Sequence, residues 1–323
     1  MKKTPQRLCN PYPYSDSNKR YFTYEYYCRK KFGGRCVKIP LDAGFTCPNI
    51  DGHCGVGGCI YCSPRGSGDS VPLNMTLRKQ YDAGRAALSS KWDISRCIPY
   101  FQAHTNTYGP VGLLSSLFDK ALEFEGAVGL DIATRADCLP DDVCALLAGL
   151  ADKTHLTVEL GLQSSCDKTA QLIGRGHDYS TFLSGYNRLR AASDKITICI
   201  HIILGLPGEE DETMLRTVRD VAALRPDMVK LHLLHVLRDT PLYEMYESGK
   251  YLPLTQEHYV SLVVSSLELL PPQTVIARLT GDGMAEMLAA PIWSLRKTAV
   301  INDIDKLMYA QNTWQGRLYS PQD

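Results

Sequence analysis

Six short runs rich in β-branched and apolar residues, each followed by a segment of helical spacing, limit what this chain can fold into more than any other feature. The runs cover residues 36–43, 98–103, 127–133, 156–162, 196–204 and 228–235. Between them apolar residues recur at intervals of three and four, as in Leu113, Leu114, Leu117, Phe118 and Leu122, or Met214, Leu215, Val218, Val221 and Ala222. Strand and helix in strict alternation predict a parallel sheet with right-handed crossovers. The run ITICIHIIL is apolar almost throughout, as expected for a strand covered on both faces. We expect an α/β fold, an open or partial barrel in preference to a flat doubly wound sheet. Its functional edge lies at the C-terminal ends of the strands, where the βα loops gather. Three regions are expected: a basic aromatic arm over 1–35, the barrel over 36–240, and a C-terminal helical extension over 241–323 that completes or caps it.

At 44% hydrophobic and 22% charged residues the chain reads as globular and not disordered. Its start, MKKTPQRLCNPYPY, lacks the apolar stretch of a signal peptide. No apolar run approaches the length of about eighteen residues that a membrane helix needs. A cytoplasmic protein without a membrane span is the expectation. Its twelve cysteines are then reduced thiols. Eight are scattered without ligand spacing, Cys199 within an apolar run, and read as small buried hydrophobes.

The other four fall in one loop directly after the first strand, GFTCPNIDGHCGVGGCIYC (44–62). Glycines 52, 55, 57 and 58 let its backbone fold tightly around an anionic object. Three metal readings compete. Cys47, Cys59 and Cys62 supply three thiolates and leave one iron of a cubane open. Cys54, Cys59 and Cys62 match the opening spacing of a plant-type [2Fe–2S] site. All four together suit a structural zinc. Spacing alone does not choose among them.

The setting does, because a three-cysteine loop on the first βα connection of a parallel sheet resembles the radical S-adenosylmethionine (SAM) superfamily. The aromatic Tyr61 just before the last cysteine matches the pattern. The segment KIPLDAGFTCPNIDGHCGVGGCIYC (38–62) is similar to a group of bacterial radical SAM proteins related to the catalytic subunit of Elongator, which acts on wobble uridine in tRNA. Further matching segments run in order along the chain: RYFTYEYYCRKKFGG (20–34), YFQAHTNTYGP (100–110), GLDIATRADCLPDD (129–142), VELGLQSSCDKTAQLIGRGHDY (158–179), ILGLPGE (203–209), VKLHLLHVLRDTPL (229–242) and RLTGD with APIWSL (278–295). The resemblance implies a partial (β/α)6 barrel. It also implies a [4Fe–4S] cluster on Cys47, Cys59 and Cys62, and SAM as cofactor, cleaved reductively to a 5′-deoxyadenosyl radical with electrons from a donor such as flavodoxin or ferredoxin. Cys54 is not expected to be a ligand.

Polar residues at strand ends are then candidates for holding SAM. Gln102 and Thr105 follow the second strand and suit its methionine group. Glu159 and Gln163, two strand periods apart with Gly161 between them, suit the ribose hydroxyls, and Glu159 also suits the sulfonium. The structural alternative for Glu159 is an ion pair to Arg135. Gly205 allows an adenine ring close to the backbone, and Glu209 opens the next helix. Candidates for facing substrate are His201, Lys230, His232, His235, Arg278 and Asp282. Arg175 and His177 sit in a Gly-rich loop suited to anions.

For the substrate, residues 1–40 hold ten Lys/Arg against Asp16 and Glu25, a local charge of +8 in a chain of zero net charge. With Tyr12, Tyr14, Tyr21, Phe22, Tyr24, Tyr26 and Tyr27 interleaved, the arm has what an RNA-binding edge needs, or it is a basic face whose aromatics pack onto the barrel. The resemblance to Elongator's subunit favours tRNA. A chain of this length has no room for that subunit's acetyltransferase domain, so the reaction is expected to differ or to be shared with a partner. Two alternatives are a radical SAM enzyme acting on a small metabolite such as a tetrapyrrole, and a non-catalytic zinc or Fe–S protein that binds nucleic acid and uses Cys54 as a ligand.

Overall fold

A computed structural model describes residues 10–66, 68, 71–72, 74–281 and 285–321. The strands are β1 (Val37–Leu41), β2 (Cys97–Phe101), β3 (Leu130–Thr134), β4 (Leu156–Gln163), β5 (Thr197–Leu204), β6 (Met228–Leu233), β7 (Val236–Leu237), β8 (Val275–Arg278) and β9 (Leu288–Ala290). The α-helices are α1 (Tyr24–Phe32), α2 (Leu77–Ser89), α3 (Val111–Leu122), α4 (Asp141–Ala151), α5 (Asp167–Leu172), α6 (Tyr179–Ala192), α7 (Asp211–Ala223), α8 (Pro241–Glu247), α9 (Gln256–Leu269) and α10 (Lys297–Ala310). Seven strands form one sheet in the order β1-β2-β3-β4-β5-β6-β8, every pair parallel. The six expected strands are all present. The seventh, β8, comes from the C-terminal region and extends the sheet beyond β6, while β7 and β9 make a separate antiparallel pair.

The sheet is curled. Lys230 on β6 donates to the Tyr100 hydroxyl on β2 at 3.3 Å, although four strand spacings would separate them by about 19 Å in a flat sheet. Alternation along each strand then sorts its residues. Ile39, Ile132, Val158, Ile198, Ile200, Ile202, Val229 and Leu231 point outward, are wholly buried and belong to the main core. Each contributes on the order of 1.5–3 kcal/mol by leaving water. The opposite face lines the lumen, and there every strand of the sheet places a polar side chain: Lys38, Tyr100, Asp131, Glu159, His201, Lys230 and Arg278.

The arm closes the foot of this barrel, at the N-terminal ends of the strands. Thr23 caps α1 by accepting from the Tyr26 N–H at 3.1 Å. The Tyr27 hydroxyl meets His155 Nε2 at 3.3 Å, just before β4. Arg96, just before β2, donates to the Phe32 carbonyl at 3.0 Å. On the free edge of β8 the Ile276 N–H donates to the Phe22 carbonyl at 2.7 Å. Phe22, Tyr24 and Tyr27 pack on Cys199, Met228 and Val275. Of the two readings of the arm, its described aromatics follow the packing one. Of the seven Lys/Arg described in residues 10–40, four are paired within the chain: Arg29 with Asp16 and Glu25, Arg35 with Glu25, Lys19 with Asp305, and Lys38 in the lumen.

Candidate active site

The cysteine loop leaves β1 at the opposite, C-terminal end of the sheet. Its organiser is Asn49, which is 2% exposed. The Asn49 amide donates to the Gly174 carbonyl at 2.5 Å and lies 3.6 Å from Cys59 Sγ. A side chain at Gly55 or Gly176 would run into Asn49 Oδ1, only 2.4 Å from either Cβ position. The Cys59–Cys62 turn is closed by the Cys62 N–H on the Cys59 carbonyl at 2.9 Å. Ile60 within that turn is gripped on both sides, by the Ile173 carbonyl and the Leu242 N–H.

Cys59 is buried and Cys47 and Cys62 are half-buried, whereas Cys54 is exposed. Arg135, at the end of β3, is fixed in a bidentate pair with Asp137 at 2.9 and 2.7 Å, and its Nη1 lies 3.9 Å from Cys47 Sγ. Arg135 therefore does not pair with Glu159, contrary to the structural alternative considered for that residue. Cys54 lies against the same Asp137. Its sulfur sits 3.8 Å from Asp137 Oδ2 and lines an outer cleft of about 660 Å³, and burial with the Asp137 charge raises its thiol pKa.

One zinc ion with ligands at about 2.3 Å needs its sulfurs within about 3.8 Å of one another. Among the described residues, three such donor atoms converge within 4.8 Å only at Glu159, Cys199 and His201. No three sulfurs of the loop meet that spacing among the described residues. N–H donors from Asn49 and Arg135 near two of the sulfurs also suit anionic thiolates on an iron–sulfur cluster.

Beside this loop, Gly161 does leave space, and both Gln163 and Arg175 use it. Gln163 Nε2 and Arg175 Nη2 lie 2.8 and 3.2 Å from where a Gly161 Cβ would be. Arg175 donates to the Gly161 carbonyl. Gln163 Oε1 and Arg175 Nε are buried without a partner, an arrangement that fits a polar cofactor held against the loop. Gln163 has φ +75°, at the register shift in β4. Gln102 follows β2, its N–H on the Leu41 carbonyl at 3.1 Å. Thr105 is 1% exposed and ties this connection to the cysteine loop through the Thr46 carbonyl at 3.3 Å.

Two candidate positions are occupied otherwise than expected. Glu159 lies midway along β4, with its side chain fully buried, and accepts from four donors. Lys38 Nζ approaches Oε1 at 2.9 Å; Lys230 Nζ, the Tyr100 hydroxyl and His201 Nε2 approach Oε2 at 2.5, 2.5 and 3.0 Å. No face of the carboxylate is open to a ribose. Over Gly205, Leu254 Cδ1 lies 3.0 Å from the Cβ position and Tyr251 donates to the Gly205 carbonyl at 2.8 Å, so packing fills the space assigned to adenine. Glu209 accepts from Ser164 at 2.5 Å and ties the β4 and β5 connections together.

The lumen is an ion network. Asp131 is fully buried and pairs with Lys38, which also lies over the Tyr24 ring at 4.9 Å. Burial raises the Glu159 carboxyl, but Lys230, Lys38 and the His201 hydrogen bond outweigh it and hold it well below the usual carboxylate range. Lys230 shares that one carboxylate, and burial lowers it to about 8. Burial opposes charge on Lys38 too, yet its two carboxylates raise it well above the ordinary lysine value. The lysines already neutralise the Glu159–Cys199–His201 donor trio, so it is part of this network. Burial and Lys230 hold His201 at about 4. Its ring centre is 5.1 Å from that of His232. His235 lies against Gly281, and Arg278 ends β8 in register with Lys230. Asp282 lies outside the described residues. Asn49, Asp131, Tyr100 and Lys38 were not singled out from sequence; the only signal was Asn49's place in the Gly-rich loop.

A parallel partial barrel with a cysteine loop at its mouth and a polar lumen beneath is the frame of an enzyme that works at a loop-held cluster. Comparison with known proteins makes this specific. Residues 52–221 match the Radical SAM superfamily and residues 226–310 the Radical_SAM C-terminal domain. The uncharacterized protein YtqA of Bacillus subtilis is 44% identical over 312 residues, 96% of each chain. The tRNA uridine(34) acetyltransferase of Methanocaldococcus jannaschii is 28% identical over 159 residues, 48% of this chain and 28% of that protein. A solved structure of the archaeal Methanocaldococcus infernus Elp3 with an N-terminal deletion shares the fold, with a TM-score of 0.65 at 17% identity over 87% of this chain and 64% of that one. The chain belongs to the radical SAM superfamily and is a radical SAM enzyme, a class that uses a [4Fe–4S] cluster and SAM. Among the described residues no helix is long and apolar enough to cross a membrane.

Proposed function

We propose that this enzyme modifies a wobble uridine of tRNA, with its [4Fe–4S] cluster held by Cys47, Cys59 and Cys62. The observation that carries the tRNA reading is the similarity to tRNA uridine(34) acetyltransferase through 159 residues of this chain. Because the match spans 28% of that protein, the acyl transfer in its name is not carried over. When bound, the cluster and SAM supply a 5′-deoxyadenosyl radical that abstracts hydrogen from the substrate.

The chain's own residues position and shield. Asn49 and Arg135 direct N–H groups toward the sulfurs of Cys59 and Cys47 and fix where those side chains stand. Cys54 faces solvent, leaving an iron without a protein ligand for SAM. Gln163 Oε1 and Arg175 Nε offer an acceptor and a donor to SAM's polar groups, with Gln102 and Thr105 on the neighbouring connection. Glu159 holds the lumen lysines together beneath the substrate.

One observation favours a small-molecule substrate instead: the described part of the basic arm lies at the foot, far from the cysteine loop. The test is to reconstitute the enzyme anaerobically, add reductant and SAM, and supply either tRNA from a strain lacking the gene or a protein-free metabolite filtrate. The tRNA reading predicts that tRNA raises 5′-deoxyadenosine release and that digests contain a new uridine-derived nucleoside. Stimulation by the filtrate alone would overturn it.

A further inference from the structure

We propose that His232 takes the hydrogen-bonding edge of the substrate base, the N3–H and O4 side of uracil, in a recess at the barrel mouth. This deepens the wobble-uridine reading and rests on it for the identity of the base.

Register places the recess. His232 on β6 pairs with Ile203 on β5, and Gln163 on β4 pairs with Ile202, so the two polar residues stand within one residue of the same level. Ile203 lies between them on the lumen face, and two strand spacings separate them by roughly 10 Å along the sheet. Ile203 belongs to the apolar cluster that also seats Ile60 and Tyr61 of the cysteine loop, so the recess adjoins that loop. One step deeper, Lys230 stands level with His201. The His201 side chain is 15% exposed, whereas those of Lys230 and Glu159 are 4% and 0%. His201 and the half-buried His232 are thus the members of this group that a ligand can reach.

The two histidines differ in what they touch. His201 Nε2 is held by Glu159 at 3.0 Å, whereas His232 Nε2 is buried without a hydrogen-bond partner. Their ring centres lie 5.1 Å apart, with the planes tilted by 55°, so the Glu159 contact fixes one ring and that ring stands against the other. A buried nitrogen without a partner is unfavourable, and a ligand that supplies one recovers the loss. Burial, with His201, Arg278 and Lys230 beside it, holds His232 well below the ordinary histidine value. The ring is then neutral, with one nitrogen that donates and one that accepts. A turn about Cβ–Cγ presents Nε2 to the recess. A neutral imidazole matches an uncharged edge that itself carries one donor, N3–H, and one acceptor, O4. With SAM on the Gln163 side, base and cofactor face each other across Ile203, as hydrogen abstraction between them requires.

His232→Leu tests this in the reconstituted holoenzyme with SAM, and His258→Leu is the control, since His258 lies on α9 and meets Asp211 at 2.8 Å. Leucine nearly keeps the volume of histidine and removes a buried nitrogen that has no partner. The melting temperature without RNA should therefore not fall, and lost affinity is then not lost folding. The probes are a synthetic anticodon stem–loop with uridine or N3-methyluridine at the wobble position, and the two free nucleosides. Wild type and His258→Leu should bind the uridine stem–loop about tenfold more tightly than the N3-methyl one, as one hydrogen bond to a buried partner allows. His232→Leu should bind the uridine form about tenfold more weakly than wild type and no longer distinguish the two. His232→Gln, which can still donate and accept, should keep part of the preference. A preference for free uridine that His232→Leu abolishes, without binding of the stem–loop, keeps the subsite and removes the tRNA reading. Stem–loop binding with no preference in wild type, or with the same preference in His232→Leu, overturns the subsite and leaves the tRNA reading standing.

Discussion

Glu159, its own side chain fully buried, accepts from four donors, and two of them are lysines. Glu159→Ala therefore strands buried positive charge, and we expect a loss of about 3–5 kcal/mol in denaturant unfolding. Glu159→Gln, which keeps acceptor and donor capacity, should lose less than Glu159→Ala. The lumen histidines add a pH dependence. His201 and His235 titrate near 4 when folded and near 6.5 when unfolded. Between those values the unfolded chain binds more protons, so their contribution is complete above pH 6.5 and is lost as pH falls toward 4. A melting temperature that declines over this interval, and declines less in the His201→Gln/His235→Gln double variant, is the expected result. At this scale the sequence was informative where backbone constraint and chemistry coincide. The Gly-rich loop announced its cysteines, and Gly161 announced the space that Gln163 and Arg175 fill. Glu159 and Gly205 were misread because strand-end geometry depends on register. A position counted as near the end of β4 lies mid-strand, and the space over a glycine is decided by Leu254, distant in sequence.

Among the elements, α1 shows how one composition supports two uses. Alternating Tyr and Lys/Arg describe an RNA-binding edge as well as an amphipathic plug, and only its docking on His155, Arg96 and β8 distinguishes them. Charge reversal at Arg29, Lys30 and Lys31 should accordingly leave tRNA affinity at low salt unchanged, measured by electrophoretic mobility shift; a large drop would return the arm to the interface. Six strands were legible because their outward faces are continuously apolar. That same pattern concealed the polar lumen: in ITICIHIIL the inward positions are Thr197, Cys199, His201 and Ile203, and a single histidine barely interrupts the run. The seventh strand escaped notice because VIAR is only four residues long and follows the proline-bounded end of α9.

As a whole the molecule is polarised along the barrel axis. Its foot is closed by α1, with Tyr24 against Lys38, and its mouth carries the cysteine loop. The central claim is that Cys47, Cys59 and Cys62 hold a cluster whose open iron serves SAM. Its most direct test is anaerobic reconstitution with iron and sulfide, dithionite reduction, addition of SAM, and quantification of 5′-deoxyadenosine. The account predicts release in wild type and in Cys54→Ala and none in Cys47→Ala. Release abolished by Cys54→Ala, or protein that retains one tight zinc and no iron, would contradict it.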